Sequence, residues 1–194
     1  MKVVGTMATR AFRVLWVCEE LGIEYEHVPA PVRSAQALEL SPTGKIPAVV
    51  VDGTAITDSV AIMTYLTDKH QGLTFPAGTI ERAQQDAHMH FIIDEIDGVL
   101  WTHAKHTHAL PEDMRIPNVT EALKAEFAQS LDRLDARLTG TFLMGDTLTL
   151  PDLLAVHCLN WARGVGFPTG SEKVQAYAKR LRDRPSFKAV RALP

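Results

Sequence analysis

The sequence predicts a chain in two parts, a mixed α/β segment over residues 1–74 followed by an all-helical segment over residues 79–194. Three observations carry this. Strand-like and helix-like apolar periods alternate as far as His70. The stretch Gln71-Gly72-Leu73-Thr74-Phe75-Pro76-Ala77-Gly78 then interrupts the pattern and reads as a linker. Beyond it every apolar pattern recurs at helical spacing, with no competing strand signal. At 194 residues with 46% hydrophobic content, the chain suits one or two compact domains with a substantial core.

Taken in order, Lys2 to Thr6 reads as a short strand. Ala11, Val14, Leu15, Cys18 and Leu21 recur at helical spacing until Gly22 closes that helix as a C′ residue. Ile23 to Val28 alternates apolar and polar residues as a second strand, and Ser34 to Leu40 forms a short helix. Ala48 to Val51, the turn pair Asp52-Gly53 and Thr54 to Ile56 give a strong hairpin signal. Ser59 to His70 is a helix whose packing residues include Ile62, Met63, Tyr65 and Leu66. The order βαβαββα fits a small mixed sheet covered by helices. Four helices are predicted beyond the linker: Ile80 to about Thr107, Val119 to Leu138, Leu150 to Trp161 and Glu172 to Leu181. A short last turn follows Pro185. Asn118 and Glu121 offer a capping box to the second of these helices. Leu123, Phe127, Leu131, Leu134 and Leu138 give it an apolar stripe, closed by Gly140. There is no internal repeat.

The net charge of -3 comes from interspersed acids and bases, so neither a nucleic-acid footprint nor a polybasic membrane patch stands out. The apolar part of the N-terminus is too short for a secretory segment and no run is long enough to cross a bilayer, so a cytoplasmic protein is expected. Cys18 and Cys158 sit among apolar neighbours without any Cys-x-x-Cys, the pattern of buried, reduced thiols. Of eight histidines, His88, His90, His103, His106 and His108 fall on one predicted helix. His103 and His106 are neighbours there, but carboxylate and cysteine partners at matching spacing are missing, so no metal is expected and a polar or cleft-lining role is preferred.

Thr149-Leu150-Pro151-Asp152 reads as a helix start in which a Thr N-cap and an Asp three residues later each satisfy backbone N–H groups of the first turn. This stretch resembles the buried N-capping box of glutathione transferases. Gly44-Lys45-Ile46-Pro47 resembles the cis-proline turn with which that family grips the glutathione backbone, and Asp58-Ser59 resembles its pocket for the γ-glutamyl end. Arg13-Val14-Leu15-Trp16, Glu19-Glu20-Leu21-Gly22-Ile23 and Tyr25-Glu26 are similar to the first helix and second strand of bacterial members, and Arg184-Pro185-Ser186-Phe187 to the family's C-terminal end. The resemblance implies a thioredoxin-like, glutathione-binding domain followed by an all-helical domain that lines the electrophile site, with the active site in the cleft between them. It further implies glutathione as co-substrate with no other cofactor, a small hydrophobic electrophile, a detoxifying transferase activity and a homodimer. Asp97 of the partner subunit would complete the γ-glutamyl pocket. Thr149 and Asp152 serve folding in this picture.

The chemical task implied is to hold the glutathione thiol ionised near neutral pH. An unperturbed thiol titrates near 8.5, and lowering it by about two units takes roughly 2.7 kcal/mol. One hydroxyl hydrogen bond and a helix N-terminus are together of that order. Thr9 precedes the apolar period of the first helix and carries a donor. Counting forward from the strand favours Thr9, while counting back from Arg13-Val14 reaches Ala8. Arg10 is a second candidate, because a guanidinium favours a thiolate by charge. No cysteine lies between Thr6 and Phe12, which disfavours thiol-transfer chemistry through a mixed disulfide. The same resemblance implies that the backbone of Ile46, presented by Pro47, pairs with the cysteinyl part of the tripeptide as an added strand does. It implies that Asp58 takes the ammonium and Ser59 the carboxylate of the γ-glutamyl end, and that Lys45, Arg33 or Gln36 reaches the glycyl carboxylate. Trp101, Met114 and Phe167 either face the electrophile or belong to the core. The rival to the enzyme is a noncatalytic binding module of the same fold, and a third alternative is a glutathione-dependent isomerase or dehalogenase.

Overall fold

The computed structural model describes residues 1–193. Their chain divides into two compact units, one formed by residues 1–77 together with the C-terminal segment from Arg182, the other by residues 78–181. In the first unit, strands β1 (Lys2–Val4), β2 (Glu26–Val28), β3 (Ala48–Val51) and β4 (Thr54–Thr57) form one sheet in the order β2-β1-β3-β4. β1 runs parallel to β2 and antiparallel to β3, and β3 and β4 form an antiparallel hairpin. At its turn both Asp52 (φ 50°) and Gly53 (φ 79°) take positive φ, as a two-residue type I′ loop requires. The strand predicted from Ile23 begins only at Glu26, and β1 stops before Gly5, whose φ of 141° leaves the strand conformation.

Helices α1 (Ala11–Leu21) and α3 (Ser59–His70) pack together on the sheet, burying Val14, Leu15, Cys18, Ile62, Met63 and Leu66 with Val3, Ala48 and Val49. The short α2 (Ala35–Leu40) is capped by the Ser34 hydroxyl, which accepts from the Ala37 N–H. Gly22 closes α1 with a left-handed φ of 62°, the conformation for which glycine carries no Cβ penalty. Every residue from Ala11 to Cys18 is buried. A helix apolar on all sides needs cover on all sides, and here α9 (Pro185–Arg191) supplies it. The spacing rules had assigned this last helix only to the run that follows the linker, but the rings of Phe12, Trp16 and Phe187 bring it against α1.

The second unit is helical. α4 (Ile80–Phe91) continues through a π-helical stretch, Ile92–Asp97, into α5 (Gly98–Ala104), and a second π-helical stretch spans Lys105–Ala109. The predicted helix from Ile80 is therefore one continuous run whose register is widened twice. α6 (Val119–Arg137), α7 (Leu150–Gly164) and α8 (Glu172–Arg182) follow. The predicted stripe of α6 is buried throughout at Leu123, Phe127, Leu131, Leu134 and Leu138. Its predicted capping box does not form. Asn118 lies at φ −100°, ψ 10°, outside the extended region a capping side chain needs, and Glu121 pairs with Lys124 at 3.1 Å instead.

Asp152 organises this unit. It is fully buried, and its carboxylate accepts from the Thr149 N–H at 2.9 Å and the Thr149 hydroxyl at 3.2 Å, from the Leu143 N–H at 2.9 Å and from the Tyr177 hydroxyl at 2.9 Å. One side chain thus ties the start of α7 to the preceding loop and to α8. Burial pushes the Asp152 carboxyl up, against the pull of these donors. Burial and the adjacent carboxylate hold the Tyr177 hydroxyl well above its ordinary range, so it stays protonated and donates.

Candidate functional site

Val4, Ala48 and Thr57 form one row across β1, β3 and β4. The segments singled out in the first unit adjoin that row: Gly5 to Arg10 leaves β1, Lys45 to Pro47 enters β3, and Asp58-Ser59 leaves β4. The sheet register therefore gathers three stretches distant in sequence at one end of the sheet. Gly5 permits the closest approach among them. A Cβ there would stand 2.8 Å from the Ala11 Cβ and 3.2 Å from the Ile46 Cβ, so only glycine lets the loop, α1 and the Ile46 turn meet.

The Ile46–Pro47 peptide bond is cis. Pro47 is buried, Ile46 is half-buried, and Lys45 is exposed. Among the described residues none takes up the Ile46 N–H or C=O, which leaves a donor and an acceptor side by side for an extended ligand.

Asp58 caps α3. One carboxylate oxygen, Oδ1, accepts from the Val60 N–H at 2.9 Å and the Ala61 N–H at 3.0 Å, while the exposed Oδ2 has no partner among the described residues. Its backbone sits at φ 70°, ψ 122°, a sparsely populated region for a residue with a side chain. Such strain is found where the surroundings over-determine a conformation, commonly at ligand sites. Ser59 is 3% exposed, and its hydroxyl accepts from Arg13 Nη1 at 3.3 Å. A buried guanidinium behind the first turn of α3 adds positive charge where the helix already presents N–H groups. Spacing rules gave Arg13 no role of its own. Its signal was available as a single cation in the otherwise apolar run from Ala11 to Cys18.

The loop that precedes α1 is a pair of tight turns. Thr9 N–H donates to the Thr6 carbonyl at 3.1 Å and the Phe12 N–H to the Thr9 carbonyl at 3.1 Å. The Thr9 hydroxyl donates to the Thr6 carbonyl at 2.6 Å and accepts from the Ala11 N–H at 3.2 Å. It acts as a local cap, with its proton directed back into the turn. Ala8 is exposed, and Arg10 begins the helix in αR conformation at φ −63°, ψ −8°.

In the second unit Phe167 is core, 4% exposed and packed edge-on against Phe127 and His103, so it does not face an electrophile. Met114 is 59% exposed and Trp101 half-buried. Asp97 is buried and accepts from the Cys158 thiol at 3.6 Å. Three members of the histidine run are occupied within the chain: Nδ1 of His103 bonds Thr120, that of His106 accepts from the Ile116 N–H, and that of His108 bonds Thr107, whereas the buried Nδ1 of His88 has no hydrogen-bond partner among the described residues. Burial, with His108 and Lys124 nearby, holds the His103 imidazole below its ordinary range. Among the described residues no three His, Cys, Asp or Glu side chains are grouped to hold a metal, and no helix is long and apolar enough to cross a membrane. Cys18 and Cys158 are buried thiols that form no disulfide, and burial pushes the Cys18 thiol up to about 12.

The sequence profile of the glutathione S-transferase N-terminal domain matches residues 9–69 and that of the C-terminal domain residues 102–185. The chain belongs to the glutathione S-transferase family. A glutathione S-transferase of Xanthomonas campestris is 29% identical over 156 residues, 78% of this chain and 76% of the relative. A solved glutathione S-transferase-I, bound with lactoylglutathione, superposes with a TM-score of 0.80 at 25% identity, covering all of this chain and 99% of the other. A glutathione transferase from Methylococcus capsulatus shares the fold, with a TM-score of 0.85 at 24% identity over 97% of this chain and 96% of that one. The four-stranded mixed sheet followed by helices is the glutathione S-transferase architecture.

Proposed function

We propose that this chain is a glutathione transferase that binds the tripeptide in its first 74 residues and adds the sulfur to a small hydrophobic electrophile lodged against its helical domain. The observation that carries this is the gathering of the Ile46 backbone, the open oxygen of Asp58, Ser59 and the start of α1 at one end of the sheet. The cysteinyl backbone pairs with Ile46. The γ-glutamyl ammonium meets Asp58 Oδ2, and its carboxylate meets the Ser59 N–H and hydroxyl with Arg13 behind them. Lys45 answers the glycyl carboxylate. In the reaction the thiol gives its proton to solvent, the thiolate forms a carbon–sulfur bond, and with an aryl halide the halide departs with its electron pair. The protein positions the sulfur and stabilises its charge through Thr9, Arg10 and the first turn of α1. By family resemblance we assign it a detoxifying role in the cytoplasm, with no cofactor beyond glutathione, as a homodimer; Asp97, buried against Cys158 in its own subunit, is not offered to a partner's γ-glutamyl pocket.

One observation favours the noncatalytic alternative. The Thr9 proton is committed to the Thr6 carbonyl, so it reaches sulfur only if that bond is given up on binding. Calorimetric titration with glutathione, paired with conjugation of chlorodinitrobenzene, separates the two. Saturable heat with turnover is expected, and Thr9→Ala should lower kcat/KM by about tenfold to a hundredfold. Heat without turnover favours the binding module. Ready turnover by Thr9→Ala moves the role to Arg10 or to backbone N–H groups.

A further inference from the structure

The far end of α1 is held by residues at the opposite end of the chain. Glu20, in the last turn of α1, has a side chain only 6% exposed. It accepts from Arg184 Nε at 2.6 Å and Nη2 at 2.8 Å, a forked arrangement, and also from Trp16 Nε1 at 3.2 Å and from the Ser186 hydroxyl. Trp16 Nε1 lies 3.2 Å from Ser186 Oγ as well. Phe187 packs against Trp16 and Phe12, with ring centroids 4.9 and 5.1 Å apart. Phe12, Trp16 and Glu20 are spaced four apart and form one stripe along α1. That stripe starts within one turn of Thr9 and Arg10 and runs to the helix end. The adjacent face is fixed by Arg13 on Ser59.

Pro185 explains why the last segment fits. It occupies the first turn of α9 and restricts Arg184 to extended backbone, at φ −63°, ψ 141°. The guanidinium is thereby directed to Glu20 while Ser186 enters the first turn beside it. Isolated exposed ion pairs contribute little, but this carboxylate is buried and takes a bidentate fork with two further donors.

We propose that Glu20, Arg184 and Ser186 are positioning residues for the thiolate site: the C-terminal segment clasps α1 and fixes where its first turn presents donors to sulfur, an inference that rests on the function proposed above. None of the three is among the groups assigned to hold the tripeptide. A small tilt of α1 about the Arg13–Ser59 contact moves the sulfur contact at its first turn while the tripeptide stays anchored at Ile46, Asp58 and Ser59. Misplacement of about 1 Å at a reacting centre can cost up to about a hundredfold in rate.

The test uses the full chain carrying Arg184→Ala, Arg184→Lys or Ser186→Ala. Glutathione affinity is read by calorimetry, the ionisation of the bound thiol by its ultraviolet absorbance against pH, and α1 by hydrogen exchange. In Arg184→Ala the bound thiol is expected to titrate at higher pH and kcat/KM to fall about tenfold or more, with the dissociation constant changed by less than about twofold. Arg184→Lys keeps the charge without the fork and is expected to recover only part of the loss. A folded Arg184→Ala that binds glutathione with an unmoved thiol titration overturns the proposal. If Arg184→Ala does not fold, Ser186→Ala decides by the same readout. If the unaltered protein shows no heat with glutathione, the proposed function fails. The clasp then stands or falls on hydrogen exchange at Ala11 to Arg13, which is expected to quicken in Arg184→Ala and refutes the clasp if it does not.

Discussion

Single residues at the candidate site serve structure and ligand together. Asp58 commits Oδ1 to the first turn of α3 and leaves Oδ2 to solvent, so helix capping and ammonium binding divide one carboxylate between its two oxygens. Ser59 donates nothing to the chain in its bond with Arg13; it accepts. Its proton is therefore available to a carboxylate. A hydrogen bond to a charged group is worth about 1.5–3 kcal/mol, so Ser59→Ala should weaken glutathione binding by about tenfold to a hundredfold, with kcat less affected than KM. Calorimetry and steady-state kinetics on the same preparation check this, and an unchanged affinity would remove Ser59 from the pocket. The Asp-Ser pair was legible because a capping residue at a helix start is a local feature of sequence. The direction of the Thr9 hydroxyl was not, since a threonine before a helix serves equally as a cap or as a donor to something outside, and only the Thr6 carbonyl at 2.6 Å distinguishes them.

Whole elements show the same division between local and distant information. The β3–β4 hairpin and α3 follow from Asp52-Gly53 and from apolar periodicity, and both form where the pattern predicts. The Thr149–Asp152 pairing is likewise local. That Leu143 and Tyr177 also converge on Asp152 depends on tertiary packing, and no spacing rule shows it. Replacing Asp152 with alanine leaves a buried tyrosine hydroxyl and two buried N–H groups without their acceptor, each costing about 1–3 kcal/mol. With partial relaxation we expect Asp152→Ala to lower stability by about 3–5 kcal/mol, seen as a melting temperature reduced by about 10 °C or more. Scanning calorimetry checks it. A change below about 1 kcal/mol would mean that solvent reaches and satisfies those donors. The failed Asn118 cap illustrates the limit of motif reading: the residue types are right, but the chain enters α6 with a backbone that directs the side chain away.

Across the whole molecule, the association of the last helix with the first unit was the least legible feature. Phe12 and Trp16 signalled an α1 that needs a second cover, but nothing local named α9 as that cover. The bond that secures it carries a pH signature. Burial raises the Glu20 carboxyl, but the hydrogen bonds from Arg184, Ser186 and Trp16 outweigh it and hold the group below its ordinary value of 4.5. A carboxyl depressed on folding contributes stability that is complete above its unfolded value and lost as pH falls through the folded one. Stability of the intact chain should therefore fall more steeply than that of Arg184→Ala as pH drops from about 6 through 4.5 and below. Parallel thermal scans test this, and equal slopes would show that the pair contributes nothing to acid sensitivity. The distance between the partners also has a consequence in time. Glu20 and Arg184 are 164 positions apart, and at roughly 5–20 residues per second a ribosome needs about 10 to 30 s to span them. Throughout that interval the nascent first helix carries Phe12 and Trp16 with no lid. Its maturation is thus deferred until the segment carrying Arg184 has been made, and damage to that distant segment would be felt at the first helix.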